Sequence, residues 1–236
     1  MKKLSIALFF ISSLFAFTGN AQTADEVIDK HIEALGGKEK LGLLKTVRME
    51  TNLSVQGMDI PVIQTKVHNV GQRTDISAMG MDGYVITTLT EGWTYMPFMG
   101  QTAAEAMPAE QVKEGLDELD LTGYLLGYKE KGNTVELVGK DTVDGAACFK
   151  LKVTNKIGKD RTLFIDSKNY YIIRTVAKAI VMGQEQEVTI IFGDYKKTED
   201  GYVFPYAIGG AFGQGDMTVT KIEVNKPVDE KIFKAN

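Results

Sequence analysis

The sequence has few of the residues that disulfides, metal sites and many catalytic sites use. Its 236 residues include one cysteine, Cys148, and two histidines, His31 and His68. A lone cysteine forms no internal disulfide and is usually a small buried apolar side chain. The two histidines share no metal-ligand spacing, and neither belongs to a His-Glu-x-x-His motif. We therefore expect no metal and no cofactor.

The sequence also lacks the motifs of common hydrolases and nucleotide-dependent enzymes. It contains no Gly-x-Ser-x-Gly sequence and no glycine-rich loop ending in Lys-Ser or Lys-Thr. Acidic residues do cluster, at Glu114, Asp117, Glu118 and Asp120. Leu119, however, stands where a calcium loop starting at Asp117 needs an oxygen ligand, so a solvated helix face is favoured. We expect a binding protein that is not an enzyme; a site assembled from scattered Asp, Glu and Tyr is the alternative.

Basic charge is not in excess. Lysine and arginine total 27 against 31 aspartate and glutamate, which gives a formal net charge of -4. Nucleic acid and strong attachment to anionic lipid head groups are both disfavoured as partners. A ligand, if bound, is expected to be held by apolar contact.

The first 21 residues have the pattern of a secretory signal peptide. Lys2 and Lys3 precede an apolar run of 14 residues, Leu4 to Phe17, and small residues follow up to Ala21. Crossing a bilayer takes roughly 20 apolar residues, so cleavage is favoured over a retained anchor. The mature chain is expected to form one domain over residues 22–236, without a lipid anchor because no cysteine lies near the cleavage point.

The mature chain begins with a helix signal and continues with strand signals. Thr23 and Glu26 form a capping-box pattern, and Gly36 marks the stop of the predicted helix. From Thr46 onward, apolar and polar residues alternate with period two. Residue pairs that favour hairpin turns recur at Asp82-Gly83, Glu91-Gly92, Gly132-Asn133, Asp144-Gly145 and Asp200-Gly201.

These patterns predict a mainly β fold with a few helices. About ten or eleven strands in one antiparallel sheet fit the spacing of the turns. Pro108 opens a helix that interrupts the strands, and a second helical stretch is expected near Tyr124 to Tyr128. These helices could cover an open face of the sheet.

Three segments resemble the LolA/LolB-like family of outer-membrane lipoprotein-sorting carriers. The first is Trp93-Thr94-Tyr95-Met96-Pro97-Phe98, which is similar to a Trp-x-Tyr-x-Pro-Phe motif of that family. The second runs from Phe192 to Pro205, and the third runs from Lys221 to Asn225 and is followed by Asp229 and Phe233. The chain departs from the family at Lys66, where the lipoprotein carriers have an Arg-Pro pair.

The resemblance implies a curved sheet wrapped into a half-open, unclosed β-barrel with lid helices over an apolar cavity. It implies a monomeric periplasmic carrier of a lipid or an acylated lipoprotein, with a membrane-protein donor or acceptor in the envelope. The residues expected to contact the ligand are Met79, Met81, Trp93, Tyr95, Met96, Phe98, Met99, Leu116, Leu125 and Ile173. Plain core packing is the alternative role for Trp93 and Tyr95, and a sensor that binds a hydrophobic peptide or partner protein is the alternative function.

Overall fold

The computed structural model describes residues 22–181, 184–211 and 215–235. The predicted signal peptide, residues 1–21, lies outside the described residues. The helices are α1 (Ala24–Ala34), α2 (Lys38–Gly42) and α3 (Ala109–Gly115). The strands are β1 (Thr46–Val55), β2 (Met58–Val67), β3 (Gly71–Ala78), β4 (Met81–Thr88), β5 (Gly92–Tyr95), β6 (Glu105–Ala106), β7 (Thr134–Val143), β8 (Ala146–Thr154), β9 (Asp160–Asp166), β10 (Ile172–Val181), β11 (Gln184–Lys197), β12 (Val203–Ala211) and β13 (Gly215–Val224).

All the strands of the described residues join one antiparallel sheet that is curved and does not close. Its order is β6-β5-β4-β3-β2-β1-β13-β12-β11-β10-β9-β8-β7, so the first and last strands pair in the middle and β6 and β7 form the edges. The predicted fold class is confirmed. The 13 strands exceed the ten or eleven expected from turn spacing because β5 and β6 have only four and two residues, too short for a clear pattern.

Helix α1 begins as the sequence predicts and packs on one face of the sheet. Thr23 Oγ1 accepts a hydrogen bond from the backbone N–H of Glu26, whose side chain accepts one from the Thr23 N–H. The apolar face of α1 supplies Val27 and Ile28, which pack against Leu151 and other buried residues of β8 and β9. This packing fixes the helix over β7 to β10.

Two of the five predicted hairpin turns are wrong. Gly132-Asn133 lies between β6 and β7, which are opposite edges of the sheet, so it does not connect a hairpin. The other turn is misplaced. The sequence pattern puts it at Asp82-Gly83, whereas the chain turns at Met79 and Gly80, which have φ of 55° and 73°. Gly83 lies within β4. A Cβ at this position would come within 2.6 Å of the Tyr95 carbonyl oxygen. This glycine is therefore required for close packing of the chain and not for a turn.

The chain between β6 and β7 joins the two opposite edges of the sheet, and we call residues 107–133 the crossing segment. Its first part forms α3, as predicted after Pro108, and continues as a 3-10 turn, Leu116–Leu119. The predicted helix near Tyr124 to Tyr128 is wrong, since this stretch is a series of turns. Gly123 and Gly127 adopt φ of 72° and 62°, which a right-handed helix does not contain.

Among the described residues, no helix combines the length and the apolar character that crossing a bilayer requires.

The burial of His31 predicts a specific loss of stability in acid. His31 is buried on α1, and its Nδ1–H donates to the Tyr170 carbonyl oxygen at 2.8 Å. Burial lowers the pKa of His31 below its ordinary value of 6.5, although the hydrogen bond opposes this shift. The unfolded chain therefore binds a proton more readily than the folded protein, and the free energy of unfolding should fall as the pH drops below about 6.5.

Replacing His31 by glutamine, which can still donate to Tyr170, should remove this part of the pH dependence. The measurement is urea unfolding of both proteins at pH 7.5, 6.5 and 5.5. If wild type and H31Q lose the same free energy of unfolding over this range, His31 is not the responsible group.

Candidate ligand-binding site

One face of the sheet carries a row of mostly apolar side chains across its second half. Thr175 on β10 lies directly opposite Leu163 on β9 and opposite Ile190 on β11. Phe192, two residues after Ile190, lies opposite Ile208 on β12. Residues directly opposite one another in an antiparallel pair share a face, so these side chains form one surface.

A cavity of about 430 Å³ separates this surface from the elements that cover it. The helices α1 and α2 and the connection between them supply Ile32, Leu35 and Leu41, and the crossing segment supplies Leu121, Leu125 and Leu126. The side walls therefore come from elements far apart in sequence. A volume of this size falls in the range of small-molecule binding sites, about 300–1,000 Å³.

Four polar residues cluster at the end of the cavity where β2 and β9 meet the crossing segment. Arg161 donates from Nη1 and Nη2 to Glu118 Oε1, at 3.2 and 3.3 Å, and Tyr124 donates its hydroxyl to the same oxygen. The Arg161 guanidinium also lies over the Tyr124 ring, 3.8 Å from its centre. Lys66 Nζ donates to the backbone carbonyl oxygen of Glu118 at 3.3 Å. This charged cluster joins the crossing segment to both sides of the sheet.

The surroundings of the charged cluster shift the pKa values of its members. Burial lowers the pKa of Lys66, with the Glu118 charge acting in the opposite direction. Burial raises the pKa of Tyr124 well above its ordinary value, and the Glu118 charge adds to this effect. Burial alone would also raise the pKa of Glu118, but Lys66, Arg161 and the Tyr124 hydroxyl together bring it below its ordinary value. Glu118 is thus an ionised carboxylate at neutral pH.

Of the ten predicted ligand contacts, Leu125 lines this cavity and the other nine lie elsewhere. Met79, Met81 and Met99 are exposed. They belong to the β3–β4 turn, the start of β4 and the 3-10 turn after β5. The sequence around these three methionines does not indicate that their side chains are exposed.

The predicted aromatic motif divides between the two faces of the sheet. Val85 on β4 pairs with Thr74 and Thr94, which share the face of cavity-lining Gln64. Trp93 and Tyr95 flank Thr94 and so point to the opposite face. There they pack in a cluster with Tyr84, Ile86 and the C-terminal Phe233. Met96 and Phe98 pack with another cluster of buried residues, Leu53, Val62 and Ile76.

The last two predicted contacts also lie outside the cavity. Leu116 borders a separate polar groove on the crossing segment with Asp117 and Asp120. Ile173 packs with Cys148 and Phe164 in a cluster away from the cavity. A register shift between Ile172 and Arg174 breaks the alternation of β10, so that Ile172 lines the cavity instead of Ile173.

Several residues that line the cavity have a recognisable pattern in the sequence, although they are not among the ten predicted ligand contacts. The alternate apolar positions Val188, Ile190 and Phe192 of β11 carry a period-two signal. Leu121 and Leu125 are four residues apart in the segment predicted to cover the sheet. The sequence around Lys66 and Arg161, in contrast, does not indicate that they belong to one site. They come together only because both contact Glu118 of the crossing segment.

Among the residues that the structure describes, no group of three or more His, Cys, Asp or Glu side chains is arranged to hold a metal ion.

Solved structures share this architecture over nearly the whole chain. A LolA superfamily protein from Nitrosomonas europaea has a TM-score of 0.56 at 12% identity, covering 91% of this chain and 98% of that one. A putative outer membrane lipoprotein-sorting protein domain from Vibrio parahaemolyticus has a TM-score of 0.54 at 12% identity, with coverages of 88% and 94%. A DUF1329 family protein from Desulfovibrio piger has a TM-score of 0.56 at 12% identity, with coverages of 91% and 98%.

The resemblance expected from the sequence is confirmed in the fold. The chain adopts the architecture of LolA superfamily and lipoprotein-sorting proteins, an unclosed curved antiparallel sheet with few helices. No protein-family model matches the sequence. At 12% identity the likeness shows the fold alone, and the function is argued below from the cavity.

Proposed function

We propose that residues 22–236 form one periplasmic carrier domain that holds an acyl-bearing ligand, a lipid or an acylated lipoprotein, in the cavity. The observation that carries this proposal is the apolar cavity of about 430 Å³ between the sheet and the crossing segment. The protein's role is to bind and release this ligand between envelope donors and acceptors, without catalysis. Leu125 is the predicted contact that we retain for this cavity.

The hydrophobic effect is large enough to support this role. Each buried methylene contributes about 0.8 kcal/mol, so about ten contribute on the order of 8 kcal/mol. Association costs an estimated 4–15 kcal/mol, so the acyl chain must be nearly fully enclosed to bind well. Ile190 and Phe192 on the sheet and Leu125 on the crossing segment supply apolar walls on different sides of the acyl chain.

The crossing segment is the element that would move to admit the ligand. The backbone N–H of Asn69 donates to the Leu119 carbonyl at 2.9 Å, and that of Leu121 donates to His68 Nδ1 at 3.2 Å. On the other side the segment is held by Arg161 through Glu118. Lys66 contacts Glu118 as well, and Lys159 pairs with Glu114 at 2.8 Å. Opening the cavity requires these polar contacts to break while the sheet remains intact.

The first test is native mass spectrometry of protein purified from its own envelope without detergent, followed by organic extraction and lipid analysis. A stoichiometric acyl-bearing species is the expected result, because an apolar cavity filled during export retains its ligand in water. A ligand-free mass, together with no uptake of a fluorescent fatty-acid probe, would contradict the carrier proposal.

A sensor that binds a hydrophobic peptide or partner protein is the second candidate. It is favoured by the exposed edge of the sheet at β7, a ten-residue strand to which an extended peptide could add. Val138 on this strand is 51% exposed. A co-purifying peptide in place of a lipid would select this function.

A further inference from the structure

The charged cluster at the end of the cavity has one more positive than negative charge. Lys66 and Arg161 are cationic and Glu118 is anionic, and these are the Lys, Arg, Asp and Glu residues that line the cavity. His31 also lines it, and burial lowers its pKa, so it is neutral at pH 7. The otherwise apolar cavity therefore ends in a net positive charge.

Of the two basic residues, only Arg161 donates a hydrogen bond to the Glu118 carboxylate, although the Glu118 charge also acts on Lys66. Arg161 and the Tyr124 hydroxyl both donate to Glu118 Oε1, so the Arg161 charge is compensated within the cluster. The Lys66 ammonium donates to a neutral backbone carbonyl oxygen and forms no ion pair with any carboxylate of the described residues. An ammonium has three N–H donors, and this hydrogen bond uses one of them. Lys66 thus has donors and charge available for a ligand.

The volume of the cavity limits how many acyl chains it holds. A methylene occupies about as much space as a water molecule, about 30 Å³ in the liquid. The cavity of about 430 Å³ therefore has room for roughly a dozen methylenes, which corresponds to one acyl chain. The space between the sheet and its cover thus matches one acyl chain.

We propose that the ligand is a single-chain amphiphile with one anionic head group, whose oxygen accepts a hydrogen bond from Lys66 while its chain lies along Ile190 and Phe192. This inference rests on the proposed carrier function and names the ligand class. The shared chemistry is an oxyanion on one acyl chain. A fatty-acid carboxylate and a lysophospholipid phosphate are its two sources.

The test compares ligands that share one chain and differ in the head group. Dodecanoate, dodecyl phosphate, dodecanol and dodecylamine compete with the neutral probe N-phenyl-1-naphthylamine for the processed full chain at pH 7, each below its micelle concentration. Wild type should bind at least one of the two anions at least tenfold more tightly than the alcohol, and the amine most weakly. Which anion binds more tightly identifies the source, and either order supports the inference.

Two matched substitutions locate the effect. Lys66→Met keeps the unbranched side chain, removes the charge, and should abolish the preference for the anions over dodecanol. Lys221→Met removes an exposed lysine of β13 that does not line the cavity, and it should leave the preference unchanged.

Three results would overturn the inference in distinguishable ways. Equal affinity of wild type for anions and alcohol removes the head-group claim and leaves the carrier function in place. Loss of dodecanol binding in Lys66→Met, with folding intact by circular dichroism, shows that Lys66 shapes the cavity and does not select charge. Absence of binding for all four compounds contradicts the carrier function itself.

Discussion

Tryptophan in place of Thr175 is expected to lower the affinity for an acyl ligand at least tenfold, which corresponds to about 1.4 kcal/mol. Thr175 lies on β10 between Leu163 and Ile190 and lines the cavity. The indole would occupy the space that the ligand needs, and because that space is a cavity, little strain is expected. The measurement is displacement of a fluorescent fatty-acid probe, with the unfolding midpoint recorded for the same samples.

The matched control for Thr175→Trp is Thr189→Trp on the neighbouring strand. Thr189 lies on β11 opposite Val176 of β10. It precedes the cavity-lining Ile190, so its side chain is on the other face of the sheet, where it is exposed. This variant should bind the probe as wild type does. Equal binding by both variants would show that the ligand does not occupy the cavity between the sheet and the crossing segment.

Alanine in place of Leu151 is expected to lower the free energy of unfolding by about 2–5 kcal/mol. Leu151 is 0% exposed and packs with Val27, Ile28 and Leu163 in the cluster beneath α1. The truncated side chain would leave a void between the helix and the sheet that neighbouring residues fill incompletely. Since small domains are stable by about 5–15 kcal/mol, this is a large share of the total.

Urea unfolding at pH 7.5 measures this change, with Val138→Ala as the control. Val138 belongs to β7, which pairs with the strand of Leu151, but it is 51% exposed. Its truncation should change the free energy of unfolding by less than about 0.5 kcal/mol. Equal destabilisation by the two substitutions would mean that α1 is not packed on β8 as described.

Features decided by neighbouring residues could be predicted from the sequence. The capping box at Thr23 and the left-handed turn at Asp144 and Gly145 depend on contacts within a few residues, and both occur where expected. The meander of antiparallel strands also follows, because short turns between alternating runs join adjacent strands. Fold class therefore could be predicted from local signals.

The position of the cavity could not be predicted in the same way. Alternation shows that Trp93 and Tyr95 share a face, but the choice of face depends on Phe233, which packs there from the far end of the chain. A shift of a single residue in β10 exchanges Ile173 for Ile172 at the cavity. Long-range packing and bulges thus decide which apolar residues line the cavity. Neither produces a periodic pattern in the sequence.

The strand order has a consequence for how the protein folds. Strand β1 pairs with β13, from Val47 opposite Val224 to Ser54 opposite Asp216. Two segments more than 150 residues apart in sequence therefore join in the middle of the sheet. Each half of the sheet can form from consecutive hairpins, yet the seam between the halves must wait until the final strand has been synthesised. Until then β1 is an unpaired edge that can pair with another chain. The newly made protein therefore passes through an aggregation-prone stage that ends only when β13 docks.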